Sequence, residues 1–591
     1  MVLMSEYSFD IFFVVIYLFC NVGFGLYMSR RAAAGMDSYF LGGRRTPAWL
    51  LAVSGCASWF DVAGTMWIAG MFYSYGFKAI WPQWMWGVAM AAFWMAYMAK
   101  WIRRSGVMTG AEWMKTRFGN GPAGESARAA MTLVAVITTV SFLSTASVGI
   151  GKFWSEFLGW PPHVCSIVIL GCTALYVIFG GMYSVIYTEF IQAGMLLIAC
   201  VIVGVLAFNS LAGQSIESLA PAGWTNFLPS WKIPDAPEAN YKLFGLMTIM
   251  WVIRGLLLST SGPLVLYEFQ RFLAARSPRD AAKVGMLWGA FFSFWWMYVI
   301  GIAVLVISRP DISVTDPESV VPAVLHAALP FGIRAILLAA IMSAFMSAFI
   351  STVNSGAAYL VCDVYQKFIA PKASNRRLVV AGYIASATLV GVGLLISSVI
   401  SSIEQIAHWI FMAFGSGILI PLFLRWYWWR FNGWGSSVGM VTGVIASLAP
   451  TIFWPQTPLY ISVPVILSLS LMGSFAATLL TRPTDPDTLD KFYARVRPWG
   501  FWGPVKKRVA SQGALTPIDS TPADMVVALI AMPWIIGLYM AVMYLVTRCW
   551  TQLFISSAVV IVTSLLLYFL WYRKLPAADE LINIANSETK A

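Results

Sequence analysis

A chain of 591 residues with 59% hydrophobic and only 11% charged residues lies far from the average soluble domain, where about a quarter of residues are charged; a soluble fold is excluded and a polytopic all-α membrane protein is expected. The formal net charge of +12 is explained by basic residues gathered on the inner face of a membrane protein, so no nucleic-acid partner is expected. The seven cysteines form no CxxC pair and mostly sit inside apolar runs, which reads as small core residues, not as a metal site or a disulfide framework.

The chain opens MVLMSEYSFDIFFVV, with acidic residues ahead of its apolar run and no basic leader, so a cleaved signal peptide is not expected. Apolar runs of spanning length follow at 8–28, 46–72, 78–100, 127–152, 161–181, 184–208, 242–264, 281–307, 331–365, 377–400, 403–428, 436–453, 459–481, 523–547 and 551–573, about 15 spans in all. Arg30, Arg31, Arg44 and Arg45 share one side with Lys100, Arg103 and Arg104, with Arg271, Arg276 and Arg279, with Lys367, Lys372, Arg376 and Arg377, and with Lys506, Lys507 and Arg508. That side is expected to be cytoplasmic, which puts the N-terminus outside and the C-terminus inside, most simply in the plasma (inner) membrane.

The second span is not an ordinary helix: Gly55, Gly64 and Gly70 weaken it, and Asp61 puts a carboxylate near its middle, which is costly unless the residue faces a polar cavity. The seventh span repeats the pattern, with Arg254 inside it and Ser259-Thr260-Ser261-Gly262-Pro263 breaking it; the proline removes a donor and frees nearby carbonyls. Five spans separate the two breaks, so the second set of five would run inverted with respect to the first. Paired interrupted helices at matching depth point to a transporter's midplane site, although two unrelated kinks would give the same sequence signal. In the ninth span Ser343, Ser347 and Ser351 recur every fourth residue and so share one helix face. Such a stripe has two readings, close packing between membrane helices or a seat for a cation whose water shell the hydroxyls replace.

The ninth span carries A-x-x-S, S-x-x-N-S and D-x-Y in Ala344, Ser347, Ser351, Asn354, Ser355, Asp363 and Tyr365, and this pattern resembles the eighth core helix of the sodium:solute symporter family. YFLGGRRTPAWL, SGVMTGAEWMKTRFG, GGMYSVIYTEFIQAG, QRFLAARSPRDAAK and PLFLRWYWWRFNGWGSSVG are similar to further segments of that family and fall in its order, covering roughly residues 8 to 445. The resemblance implies a leucine-transporter-type core of two inverted five-helix repeats, with one extra N-terminal helix and about four peripheral C-terminal helices. The expected divisions are 1–44 for the extra helix and loop, 45–210 for the first repeat, 211–241 for an external loop, 242–430 for the second repeat, 431–481 for peripheral helices, 482–522 for a cytoplasmic linker with a short helix near Asp487 to Arg497, and 523–591 for the last two helices and tail.

The same resemblance implies a sodium site formed by the carbonyls of Ala57, Phe60 and Ala344 with the hydroxyl of Ser347. The family usually has a second hydroxyl next in sequence, where this chain has Ala348; Asp61 would compensate for the missing ligand directly or through water. An auxiliary ion site of some relatives maps onto Glu189 and Ser351, with Asp61 nearby. Glu189 would otherwise be a helix-end charge or a proton-sensitive relay. Positions that contact sugar in sugar-carrying relatives hold Gln83, Leu258, Ser261, Phe292 and His408, without the lysine, asparagine and glutamate of the hexose mode. Arg254, one turn outward from Leu258, suits a carboxylate or phosphate, and equally a pairing with Asp61 or with backbone carbonyls. His408 either takes a proton near neutral pH or hydrogen-bonds a neutral ligand. Trp59, Trp67, Trp84 and Trp86 are candidates for apolar walls.

The expected function is secondary active symport of a small polar organic solute with sodium, by alternating access in the lipid bilayer. Asp61, Gln83, Arg254, Ser261 and His408 are the candidate solute contacts. Proton coupling on the same fold and a ligand sensor without flux are the alternatives. No phosphate-cradling GxxxxGK[ST] loop is present and the three histidines are far apart in sequence, so neither an ATP-driven pump nor an enzyme is expected. No obligate protein partner is evident, and sodium is the only inorganic partner expected.

Overall fold

The computed structural model describes residues 8–32, 46–107, 109–233, 241–262, 266–314, 316–327, 329, 332–398, 415–454, 457–512 and 523–576. His408 and the first half of the span expected at 403–428 lie outside them. The described elements are all helices, and nine helical stretches among them are long and apolar enough to cross a membrane.

Helix α1 spans Ser8–Ala32. The second span is divided, as its glycines and aspartate predict, into α2 (Ala48–Ala57) and α3 (Val62–Tyr75). Between them the Phe60 N–H still reaches the Ala57 carbonyl at 3.2 Å. Asp61 is then extended (φ −79°, ψ 148°) and its carboxylate caps α3 by accepting the Gly64 N–H, a bond that fixes the start of the new helix.

The span expected at 78–100 is a correction. It begins as two 3-10 turns, Gly76–Ile80 and Pro82–Trp86, and becomes helical only at α4 (90–105), which includes a π-type turn at Trp94–Met98. Pro82 removes a donor, and Gly87 takes a left-handed conformation (φ 75°), so no continuous helix survives there.

After α5 (Gly110–Phe118) come α6 (Pro122–Leu158) and α7 (Pro162–Ser210). Two spans were expected at 161–181 and 184–208, but the backbone is helical without a break from Pro162 to Ser210; the intervening glycines are not joined by a proline that would stop the helix. The loop that follows folds down on the first turns, where the Trp224 carbonyl accepts the Phe77 N–H at 2.9 Å and the Phe227 carbonyl accepts Trp81 Nε1–H at 2.6 Å.

The seventh span also divides. Helix α8 (Phe244–Ser261) stops at Gly262, whose φ of 81° suits glycine, and α9 (Leu266–Ala274) resumes beyond it. Helices α10 (Pro278–Ser308) and α11 (Val320–Ala327) lead to α12 (Ile333–Ile369). The most apolar stretch of α12 is 94% buried, against 11% for the last spanning helix, so the hydroxyl-bearing helix lies at the centre and not against lipid.

Helices α13 (Asn375–Ser397), α14 (Gly415–Tyr427), α15 (Gly433–Phe453) and α16 (Leu459–Leu480) follow. The short helix expected near Asp487 is α17 (Pro486–Val496), capped by Asp485, and it is followed by α18 (Gly503–Ser511). This segment is packed and not a loose tether: Arg495 Nε donates to the Arg104 carbonyl at 2.8 Å, and Phe492 meets Trp113 edge-on at 5.5 Å. Helices α19 (Ala523–Val546) and α20 (Trp550–Leu570) close the chain as a packed pair, and α15 and α16 form another.

Candidate functional site

The α2–α3 break, the 82–86 turn, α6, α8, α9 and α10 surround a cavity of about 170 Å³. Each element contributes by its own local logic. Asp61 lines the cavity because the break leaves it at a helix N-terminus. Gln83 and Trp86 come from the turn that Pro82 starts, and Thr138, Phe142 and Thr145 come from one face of α6. The i, i+4, i+7 spacing of those three is one helix face, a phenylalanine between two threonines, that sequence reading missed. Glu268, also missed, lies in the first turn of α9 and lines the same space, with Trp59 Nε1 donating to its Oε1 at 2.9 Å. Trp295 and Trp296 of α10 were missed as well, hidden among the many tryptophans of the chain.

Of the residues expected to contact solute, Asp61, Gln83 and Arg254 line this cavity, as do Leu258 and Phe292. Ser261 does not: its hydroxyl donates to the Leu257 carbonyl at 2.6 Å and to the Leu419 carbonyl at 3.3 Å, the usual fate of a serine near a helix end. Arg254 is almost fully buried, donating from Nε to Ser416 Oγ at 2.9 Å and from Nη1 to the Met85 carbonyl. The bond to the Met85 carbonyl is one of the pairings expected for it and braces the turn that carries Gln83, while Arg254 also lines the cavity. Trp59, Trp67 and Trp86 form walls of the cavity, while Trp84 lines a separate, apolar one toward α19 and α20.

A second cluster lies deeper, where α2, α7, α9 and α12 meet. Glu189 of α7 is fully buried. It accepts from Ser58 Oγ at 3.0 Å, from Ser347 Oγ at 3.3 Å, and from Ser54 and Ser351. Arg271 Nη2 lies 2.7 Å from Glu189 Oε2 and 2.8 Å from both Ser58 Oγ and Ser351 Oγ. Ser58 and Ser351 are themselves 3.0 Å apart, so the broken helix and the hydroxyl stripe of α12 touch. Arg271 was expected among the cytoplasmic basic residues. It is instead fully enclosed, because a buried carboxylate offers it a charge partner and a ring of hydroxyls completes its bonds.

Of the residues expected to hold sodium, only Ser347 touches this cluster. Ala57 ends α2 and Phe60 follows it, while Phe60 and Ala344 line one small apolar cavity of about 20 Å³. Ser347, one turn along α12 from Ala344, is fully buried and faces Glu189. The carboxylate bonded to Ser347 is therefore that of Glu189, whereas Asp61 opens on the larger cavity. Ser343, the first of the stripe, is turned elsewhere, to Tyr17 Oη at 2.5 Å. His408 is outside the described residues.

The sequence is similar to the sodium/glucose cotransporter of Vibrio parahaemolyticus, 26% identical over 507 residues that cover 80% of this chain and 88% of that protein. It is also similar to the sodium/myo-inositol cotransporter of Homo sapiens, 25% identical over 384 residues, 58% of this chain and 52% of that one. The fold is that of a Na+-coupled sialic acid symporter solved in a substrate-bound outward-open state, with a TM-score of 0.67 at 18% identity, covering 80% of this chain and 98% of that one. Two inverted five-helix repeats form its core, with α7 covering the fourth and fifth spans of the first, and among the described residues there are one N-terminal helix and four peripheral C-terminal helices, α15, α16, α19 and α20. The model of the sodium:solute symporter family matches residues 39–443, more than half of the length, and the chain belongs to that family as a membrane-embedded transporter, not an enzyme.

Proposed function

We propose that the protein is a sodium-coupled symporter of a small polar organic solute, working by alternating access in the plasma membrane with its N-terminus outside and its C-terminus in the cytoplasm. The observation that carries this reading is the meeting of the α2–α3 break with the hydroxyls of α12, where Ser58 and Ser351 are 3.0 Å apart, beside a cavity bordered by both interrupted helices. Carbonyls of Ala57, Phe60 and Ala344 with the Ser347 hydroxyl hold the sodium ion, and oxygen ligands of that kind suit a hard monovalent cation. Sodium binding there ties α2 to α12 and so favours one orientation of the two repeats. Solute entering the adjacent cavity then permits the rocking that exposes both to the other side.

The test is transport by purified protein in proteoliposomes, read as solute-induced current on a solid-supported membrane. The panel is D-glucose, myo-inositol, L-proline, glycine betaine, choline and L-lactate, each under a sodium gradient and under a pH gradient alone. The expected result is current that needs sodium and solute together. Equal currents under a pH gradient without sodium, or ligand binding without any flux, would overturn the reading.

A further inference from the structure

Within the solute cavity, charge and hydrogen-bonding capacity are matched to a specific kind of guest. The Asp61 carboxylate faces it with one oxygen used as a helix cap, on the Gly64 N–H at 2.6 Å, and no cationic side chain among the described residues pairs with it. A carboxylate held inside a membrane protein calls for a positive charge. Trp59, Trp67 and Trp295 line the same space, and indole faces attract cations strongly once water is excluded. The opposite requirement comes from two donors: Gln83 Nε2 and Trp67 Nε1 have no hydrogen-bond partner, although each residue is only 7% exposed. Buried donors of this kind want acceptor oxygens.

Resting on the symport reading above, we propose that the solute is a small organic cation or zwitterion, its positively charged nitrogen seated between Asp61 and the indoles and an oxygen of the same molecule accepting from Gln83 and Trp67. A polyol supplies the oxygens but leaves the Asp61 charge uncompensated. A simple carboxylate adds a second negative charge beside it. Arg254 does not reverse that sign preference: it lines the cavity with two carboxylates, Asp61 and Glu268, which leaves the lining with a net negative charge, and its Nε and Nη1 are given to Ser416 Oγ and the Met85 carbonyl. The size of the cavity, about 170 Å³, fits a molecule of few heavy atoms.

Glycine betaine, choline and L-proline are the probes that carry a cationic nitrogen, and D-glucose, myo-inositol and L-lactate are the comparators. Binding is read as quenching of intrinsic tryptophan fluorescence in detergent, with and without sodium, and radiolabelled sodium binding is measured separately. The solute class is thus decided even if the ion proves not to be sodium. The expected result is saturable quenching by at least one cationic-nitrogen probe. Asp61→Asn should weaken it about a hundred-fold, Asp61→Glu should restore part of it by keeping the charge, and Gln83→Leu should weaken it about ten-fold through the lost donor. Quenching by glucose, myo-inositol or lactate alone, or none by the three cationic-nitrogen probes, would overturn the proposal and leave symport standing if radiolabelled sodium still binds. Failure of sodium to bind, with betaine, choline or proline still quenching, would sink the symport reading and leave the solute class intact. Equal affinity of the Asp61→Asn and wild-type proteins would also overturn it.

Discussion

Arg271 and Glu189 form an ion pair of 2.7 Å in which neither side chain is exposed. It joins α9, the second half of one interrupted helix, to α7, and through Ser54 and Ser58 to the first interrupted helix. The guanidinium fills the ring of oxygens around Glu189 that an auxiliary ion would otherwise need. Removing one partner leaves a bare charge in the interior, so Glu189→Gln is expected to cost about 3–5 kcal/mol of stability. The neutral pair Glu189→Gln with Arg271→Met is expected to recover most of it. Thermal unfolding in detergent of the single and double variants checks this, and a double variant no more stable than Glu189→Gln would show that charge pairing is not what matters. With Arg271 in place, sodium should bind without cooperativity, at one ion per solute. A sigmoidal sodium dependence of radiolabelled sodium binding would contradict that.

The position after Ser347 offers a gain-of-function test. Ala348 lacks the hydroxyl that most relatives are expected to carry there, and the Thr352 hydroxyl already donates to the Ala348 carbonyl at 2.8 Å. Ala348→Ser adds one oxygen beside Ser347, and a neutral ligand of that kind is worth about 1 kcal/mol. Sodium affinity is therefore expected to rise about five-fold. Ser347→Ala should lower it by about ten-fold or more. Scintillation proximity with radiolabelled sodium reads both, and an Ala348→Ser protein with unchanged affinity would mean that the ion does not touch this turn of α12.

The cap of α3 predicts a separation between folding and solute binding. A Cβ at Gly64 would come within 2.5 Å of Asp61 Oδ2 and 3.1 Å of its Cγ. Alanine also favours the helix by about 1 kcal/mol over glycine, which offsets a cap bond of similar size. Gly64→Ala should therefore unfold at nearly the wild-type temperature, while the displaced carboxylate lowers glycine betaine affinity by about ten-fold. A protein that loses stability but keeps its affinity would place the carboxylate's role in the cap alone.

How far these features can be read from the sequence differs from place to place. The breaks at Asp61 and Gly262 are legible because a charge, a serine run and glycines interrupt apolar stretches that would otherwise be uniform. The unwinding at Pro82–Trp86 is not, because one proline and one glycine are lost in a run of tryptophan and methionine whose hydropathy is that of a span. Arg271 was misplaced for a deeper reason: a loop arginine and an enclosed one look alike until the partner is known, and Glu189 is 82 residues away in the chain. Apart from Phe292, the walls of the cavity from α6 and α10 were invisible for the opposite reason: the 28 tryptophans of the chain are too many for Trp295 and Trp296 to stand out, and two threonines with a phenylalanine on α6 carry no signal of their own.

Arg254 gives the last prediction, because its two readings diverge under a conservative change. Its Nε and Nη1 bridge Ser416 on α14 and the Met85 carbonyl of the turn that carries Gln83. A lysine keeps the charge but has one compact ammonium in place of the planar fork, so it cannot span both partners. If Arg254 positions the turn, Arg254→Lys should loosen Gln83 and lower glycine betaine affinity by about ten-fold, with the current at saturating solute and the affinity for radiolabelled sodium little changed. If instead Arg254 clamps an anion, lysine would preserve much of the binding, and L-lactate would be bound by wild type and variant alike. Titrations of both probes on both proteins separate the outcomes, because a positioning role shifts the solute concentration at half-maximal current and leaves its plateau in place.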